Sequence, residues 1–229
     1  MDVHLLLKQH KQLLDEWRLA PGVDSSRFVR DGAVDPQLWC SHIPRVLLLA
    51  KESHDKNSVM TACGYDLTVL FRNSADNDKF KHNRRFENNV GRWAYLIQCA
   101  AKGCFPDFGD VTYEHYRKAL LQSAVTNLKK IAGGGKAKFS EIRAAGIRDK
   151  GRILNQISIL DPTFVVFGRD EESTKLIKRI IGDLTLCCDL CYRRGSQFWI
   201  RHWHPCHTGK SDPTLYAELS QTLRRFFGS

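Results

Sequence analysis

Apolar residues in this chain follow two rhythms. In VHLLLKQHKQLLDEWRLA, residues Leu6, Leu7, Leu13, Leu14 and Trp17 recur at helical spacing, and Pro21-Gly22 closes that helix. Short uninterrupted apolar runs alternate with further helical patterns. RVLLLA (45–50), AVTNL (124–128), TFVVFG (163–168) and QFWIRHW (197–203) have the length and β-branched or aromatic content of strands buried on both faces of a parallel sheet. In the last run, Phe198, Ile200 and His202 share one side. Helical spacing appears at 90–101, at 115–121, in Ile153, Leu154, Ile157 and Leu160, and in Leu176, Ile177, Ile180 and Ile181. A final helix opens at SDPTLYAEL, with Asp212 as N-cap and Pro213 in the first helical position, and carries Leu215, Leu219, Leu223 and Phe226 on one face.

Strands alternating with helices predict an α/β fold, a three-layer α/β/α sandwich around a central, mostly parallel four-stranded sheet. We expect a single domain over 1–229, with 1–40 as an N-terminal helical extension. The stretch 53–88 is polar and weakly periodic, which predicts a functional loop carrying Lys79, Lys81, Arg84 and Arg85.

Composition narrows the class of partner. A hydrophobic content of 42% over 229 residues is enough for one core without staples, so the eight cysteines are expected to be reduced thiols. The chain shows neither a secretory leader pattern nor an apolar run of membrane-spanning length, which predicts a soluble, cytoplasmic protein with no membrane partner. The formal charge of +10 favours a polyanion, since each Lys or Arg set against a phosphate releases counterions. The plainer reading of that charge is ordinary solubility.

In open parallel sheets, ligands bind beyond the carboxyl ends of the strands. Polar clusters follow three of the predicted strands: Lys51-Glu52-Ser53-His54, then Asn127-Leu128-Lys129-Lys130 with Gly133-Gly134-Gly135-Lys136, then His204-Pro205-Cys206-His207. A carboxylate, a carboxamide and an imidazole on one rim make a candidate active site. Taken singly, Glu52 reads as a surface ion-pair partner, Asn127 as a turn cap and His204 as a packed histidine. The glycines, with Lys136 and Lys138, can cradle phosphates, although Lys130 and Ala137 exclude a Walker loop. Cys188-x2-Cys191 with His202 and His207 approaches a zinc-finger spacing, but Pro205 stands between histidines that would have to share a helix. No metal is expected.

AKESHD, TNLKKIAGGG and WHPCH resemble, in order and spacing, the three active-site motifs of the uracil-DNA glycosylase superfamily, over roughly residues 45–225. VTNLKK is similar to the ITNVVK of its thermophilic-type branch. The resemblance implies a DNA glycosylase that hydrolyses the N-glycosidic bond of a flipped-out base and leaves an abasic site. It implies that Glu52 positions water and stabilises a cationic sugar, that Asn127 reads the base edge, and that His204 donates to the base carbonyl as charge collects there. Tyr65, Phe71, Phe86 and Trp93 lie in the interval where a stacking wall is expected, with Phe71 and Phe86 the chosen candidates; the plainer reading of each is a core aromatic. Lys51, His54, Lys129, Gly133, Gly134, Gly135, Lys136, Cys206, His207 and Lys210 are the expected DNA contacts.

Several departures from the family pattern shape the expectation. Ile131 stands where the iron-sulfur branch has a cysteine, so neither a cluster nor any other cofactor is expected. NNVGRWAYLI resembles FVGRAGQLL, yet places Asn89 where the stacking phenylalanine would be. Cys206 replaces a serine, and HTGKSD follows where a hydrophobic wedge is usual. The first motif lacks the Pro-Tyr or Pro-Gly pair that narrows the pocket, which leaves room for bases larger than uracil, including modified phage cytosines. Repair and antiphage defence both stay open, on single- or double-stranded DNA, for a monomeric enzyme. The rival readings are a catalytically inactive nucleic-acid-binding module and a zinc-binding nucleic-acid protein.

Overall fold

Each of the four apolar runs forms a strand. The computed structural model describes residues 1–54, 64–76, 84–134 and 138–228. In chain order the elements are α1 (Val3–Arg18), β1 (Val29–Arg30), β2 (Gly32–Ala33), α2 (Pro36–Ser41), β3 (Val46–His54), β4 (Tyr65–Asp66), α3 (Leu67–Asp76) and α4 (Arg84–Ala100). They continue with α5 (Tyr113–Leu121), β5 (Ser123–Gly133), α6 (Phe139–Arg148), α7 (Lys150–Leu160), β6 (Phe164–Gly168) and α8 (Glu171–Ile181). The chain closes with β7 (Thr185–Cys188), β8 (Cys191–Arg194), β9 (Gln197–His202) and α9 (Asp212–Phe227).

The result is a mixed α/β fold around a mostly parallel sheet. Its order is β2-β5-β3-β6-β9-β8-β7, in which β5, β3, β6 and β9 run parallel. Val46 and Leu48 of β3 face one core and Leu47 and Leu49 the other. Phe164, Val166 and Ile200 follow the first, Val165, Phe167 and Trp199 the second. Helices α3, α4, α5 and α9 close the first face, and α1, α2, α6, α7 and α8 the second. A strand covered on both sides has no polar face to show, which is why these four read as unbroken apolar runs.

The sheet has seven strands among the described residues, not the expected four. The parallel centre is the predicted one, and the additions are antiparallel edges: β2 beside β5, then β8 and β7 beyond β9. Two residues of β2 are too few to show an alternation, and in the four-residue β7 Thr185, Leu186 and Cys187 are all exposed, so no alternation of buried and exposed positions marks it. The stretch expected as a loop over 53–88 holds β4, α3 and the start of α4. Lys79 and Lys81 lie outside the described residues. Leu7 is exposed, whereas Leu6, Leu13, Leu14 and Trp17 are buried. The cap of α9 is Ser211, whose side chain accepts from the Thr214 N–H, so Asp212 and Pro213 lie inside the helix. Residues 1–40 contribute to the centre of the molecule: Leu6, Leu14, Trp17 and Trp39 pack in the second core, and β2 pairs with β5.

A buried charge ties that N-terminal segment to β5. The side chain of Lys130 is 1% exposed, and its ammonium donates to both carboxylate oxygens of Asp31, at 2.6 and 2.7 Å. Asp31 also accepts from Gln156 Nε2 at 2.9 Å and from the backbone N–H of Asn127 at 2.8 Å. Gln156 meets His10 Nε2 at 2.9 Å, and Trp17 lies 4.9 Å from the ammonium. Burial lowers the Lys130 pKa, and Asp31 opposes that shift. Removing one partner of such a pair leaves an uncompensated charge in the core. Asp31→Ala is therefore expected to cost about 3–5 kcal/mol, measured by urea denaturation; a loss under ~1 kcal/mol would show that water reaches Lys130.

Candidate functional site

The carboxyl ends of β3, β5 and β9 carry the three polar clusters. At β9, the chain turns from core to surface within three residues. His202 is buried, with its ring 4.4 Å from Trp93 in an edge-on arrangement. Burial pushes its pKa down to about 3, so the imidazole is neutral. Trp203 is half-buried: Nε1 donates to Glu218 at 2.7 Å, its ring stacks on His207 at 4.4 Å, and Arg169 and Lys210 lie 5.1 and 5.0 Å from its centre. His204 is exposed. A tight turn, closed by the His207 N–H on the His204 carbonyl at 2.8 Å, holds it on the rim.

The backbone N–H of Cys206 donates to His204 Nδ1 at 3.1 Å. A ring whose Nδ1 accepts must carry its proton on Nε2 when neutral, so the turn selects the Nε2–H tautomer. Phe86 sits 5.6 Å from His204 and stacks on Phe71 at 5.8 Å. Phe86 is half-buried and Phe71 is 1% exposed, so of the two expected stacking residues Phe86 is nearer the surface and Phe71 lies in the core. Tyr65 and Trp93 are buried core residues. Asn89 does not stack. It is buried on α4 and donates from Nδ2 to the Pro205 carbonyl at 2.8 Å and to Asp212 at 3.1 Å. Arg85 adds bonds to Asp212 at 2.7 Å and to the Lys210 carbonyl at 2.6 Å. Helix α4 thus clamps the loop that carries His204.

At β3 and β5, Ala50 pairs with Asn127 and Glu52 with Lys129. Asn127 is buried, and its Nδ2 donates to Ser53 Oγ at 3.0 Å. The Glu52 carboxylate accepts from Lys129 at 2.7 Å, with a side chain only 2% exposed, and Lys129 also donates to Glu141 at 3.0 Å. Burial works against the Lys129 ammonium, but its bonds to Glu52 and Glu141 outweigh that and raise its pKa. Gly133 makes room for the pair: a Cβ there would collide with both Glu52 oxygens. Glu52, Lys129, Gly133 and Gly134 line a cleft of about 640 Å³ with Arg27 and Arg148. Lys51 turns elsewhere, to Asp170 at 3.1 Å and over the ring of Phe139. His54 ends β3, and its side chain, like Gly135 and Lys136, lies outside the described residues.

Several expected DNA contacts therefore have internal partners in this structure. Lys129 is held by two carboxylates, Lys210 by Glu218, and His207 by Trp203. Cys206 contributes its N–H to His204. Asp31, Asn89 and Arg85 position the site by bonds across long spans of chain, Glu218 by bonds to Trp203 and Lys210, and Ser53, inside AKESHD, by its bond to Asn127; sequence reasoning gave none of them that role. Among the described residues, no three His, Cys, Asp or Glu side chains converge as a metal site. No helix among them is long and apolar enough to cross a membrane. No protein-family model matches this sequence, and no curated protein matches it.

Among the described residues, the buried His202 and the half-buried His10 set an acid limit on stability. Burial lowers His10 to about 4 and His202 to about 3, from an ordinary value of 6.5. Below pH 6.5 the unfolded chain binds protons that the fold refuses, so stability is complete above that pH and is lost as pH falls toward 4, at about 1.4 kcal/mol per unit for each histidine. Urea denaturation at pH 7 and 5 is expected to show that loss, and His202→Phe to remove about half of the slope; a flat profile would mean that both rings accept protons in place.

Proposed function

We propose that this protein is a DNA glycosylase of the uracil-DNA glycosylase type, acting as a cytoplasmic monomer on a base flipped out of DNA. The observation that carries the reading is the order β5-β3-β6-β9, which sets all three motifs at the carboxyl ends of one parallel sheet. On it, the Cys206 N–H on His204 Nδ1 puts the proton of a neutral ring on Nε2, and Phe86 lies beside that ring as a wall on which a base can rest.

Cleaving an N-glycosidic bond puts positive charge on the sugar and negative charge on the departing base, so two electrostatic sites suffice. A neutral imidazole stabilises the base oxygen by donating a hydrogen bond, with no proton transferred. Glu52, beside a charged Lys129, supplies the negative site near the sugar. Asn127, with a donor and an acceptor on one amide, reads the base edge after giving up Ser53. A second reading, a nucleic-acid-binding module without catalysis, is favoured by the same two contacts: Glu52 and Asn127 both have partners within the protein.

DNA substrates carrying uracil, hypoxanthine, hydroxymethylcytosine or glucosylated hydroxymethylcytosine, followed by alkaline cleavage of abasic sites, separate the readings. Release from at least one is expected, with Glu52→Gln, Asn127→Ala and His204→Ala each slowing it by about 10²–10³-fold, the scale of one lost transition-state contact. Phe86→Ala should weaken binding of the flipped base more than it slows the bond-breaking step. Intact DNA in every case, with binding that survives His204→Ala, establishes the binding module instead.

A further inference from the structure

The cysteine pair on the β7–β8 hairpin has no part in the proposed reaction. Cys188 and Cys191 flank the two-residue turn Asp189-Leu190 and stand directly opposite each other in the antiparallel register. Both pack against the first core, so their side chains project from the same face of the sheet. Directly opposed residues of an antiparallel pair hold their Cα atoms about 4.5–5.5 Å apart, inside the span of about 4.4–6.8 Å that a disulfide bridges.

The hairpin keeps the third cysteine apart. Asp161 is the one non-glycine residue with positive φ among those described, so the turn at Asp189-Leu190 is not of the left-handed type that normally matches strand twist. The register shifts between Leu186 and Cys188, leaving Cys187 as the extra residue of a bulge, exposed, with its thiol on the Thr185 carbonyl. Access to the pair is one-sided as well. Cys191 is buried, whereas Cys188 is half-buried and lines a cleft of about 360 Å³ together with Trp203, Lys210, Glu218 and Arg225.

We propose that Cys188 and Cys191 form a reversible dithiol–disulfide pair, oxidised by a low-molecular-weight disulfide that enters through the cleft beside Trp203. The Cys188 thiolate attacks one sulfur of the oxidant and expels the other as a thiolate. Cys191 then attacks Cys188 Sγ in the mixed disulfide and expels the second thiolate. Two protein thiols lose two electrons, the oxidant is reduced to two thiols, and the two thiol protons end on them. Burial, with Cys188 next in effect, raises the Cys191 pKa. A raised pKa leaves less Cys191 thiolate for that second attack, so closure speeds as pH rises.

The test is to incubate the folded full-length protein with oxidised glutathione, quench by alkylation and map peptides without reduction. The proposal expects a Cys188–Cys191 link within one chain, the loss of two alkylatable thiols and their return with dithiothreitol. Cys191→Ser should stop at glutathione on Cys188. Cys104, which is exposed and outside the hairpin, reports whether the oxidant acted. If Cys104 is modified while Cys188 and Cys191 both stay free, or if Cys188 joins Cys187 instead, the proposal is overturned.

Discussion

A lysine ammonium sealed from water must find its counter-charge inside the fold, and Lys130 finds it in Asp31. That requirement organises one side of the molecule. Asp31 precedes β2, a strand with only two residues of ladder, and its carboxylate continues the connection to β5 by accepting the Asn127 N–H where backbone pairing has stopped. Its other contacts reach α7 through Gln156, and α1 closes over the ammonium with Trp17. Four segments distant in sequence meet at one ion pair. As a source of net stability such a pair is weak, because desolvation consumes most of the attraction. Its effect is geometric: the Asn127 N–H is held on Asp31 while β3 pairs along the other side of the strand.

The opposite end of the rim is built by other means. Around His204 no buried ion pair is needed; backbone hydrogen bonds close the turn, and α4 grips it through Asn89 and Arg85. Here the protein spends neutral and charge-assisted hydrogen bonds on a loop, and the outcome is an exposed ring with one tautomer. Glu52 is the reverse case, a carboxylate almost without exposure whose position depends on Lys129 and on the missing side chain of Gly133. The two ends of the rim therefore differ: an exposed ring at His204, an enclosed carboxylate at Glu52.

The parallel strands were legible in the sequence because burial on both faces leaves a continuous apolar run, as in RVLLLA and TFVVFG. The edge strands were not, since β2 is too short for any period and β7 faces solvent. The motif positions were legible for a related reason: a polar residue directly after such a run lies at the ligand-binding end of the sheet. Their partners were hidden. Nothing local in RDGAVD points to Lys130, nearly a hundred residues on, and Asn89 aligned with a stacking position although its amide serves Pro205.

Charge illustrates the same limit. The excess of Lys and Arg was read as a surface for a polyanion, yet many of the basic groups nearest the motifs are engaged internally: Lys129 with Glu52 and Glu141, Lys130 with Asp31, Arg85 with Asp212, and Arg169 and Lys210 with Glu218. A cation already paired gains little from a phosphate unless its carboxylate is released to water, so the formal charge overstates the field at the rim. On the proposed reading, a nucleic acid approaching the His204 side meets an imidazole, an aromatic ring and paired charges. Binding there would then depend on shape and stacking, with the long-range attraction supplied by basic residues farther away.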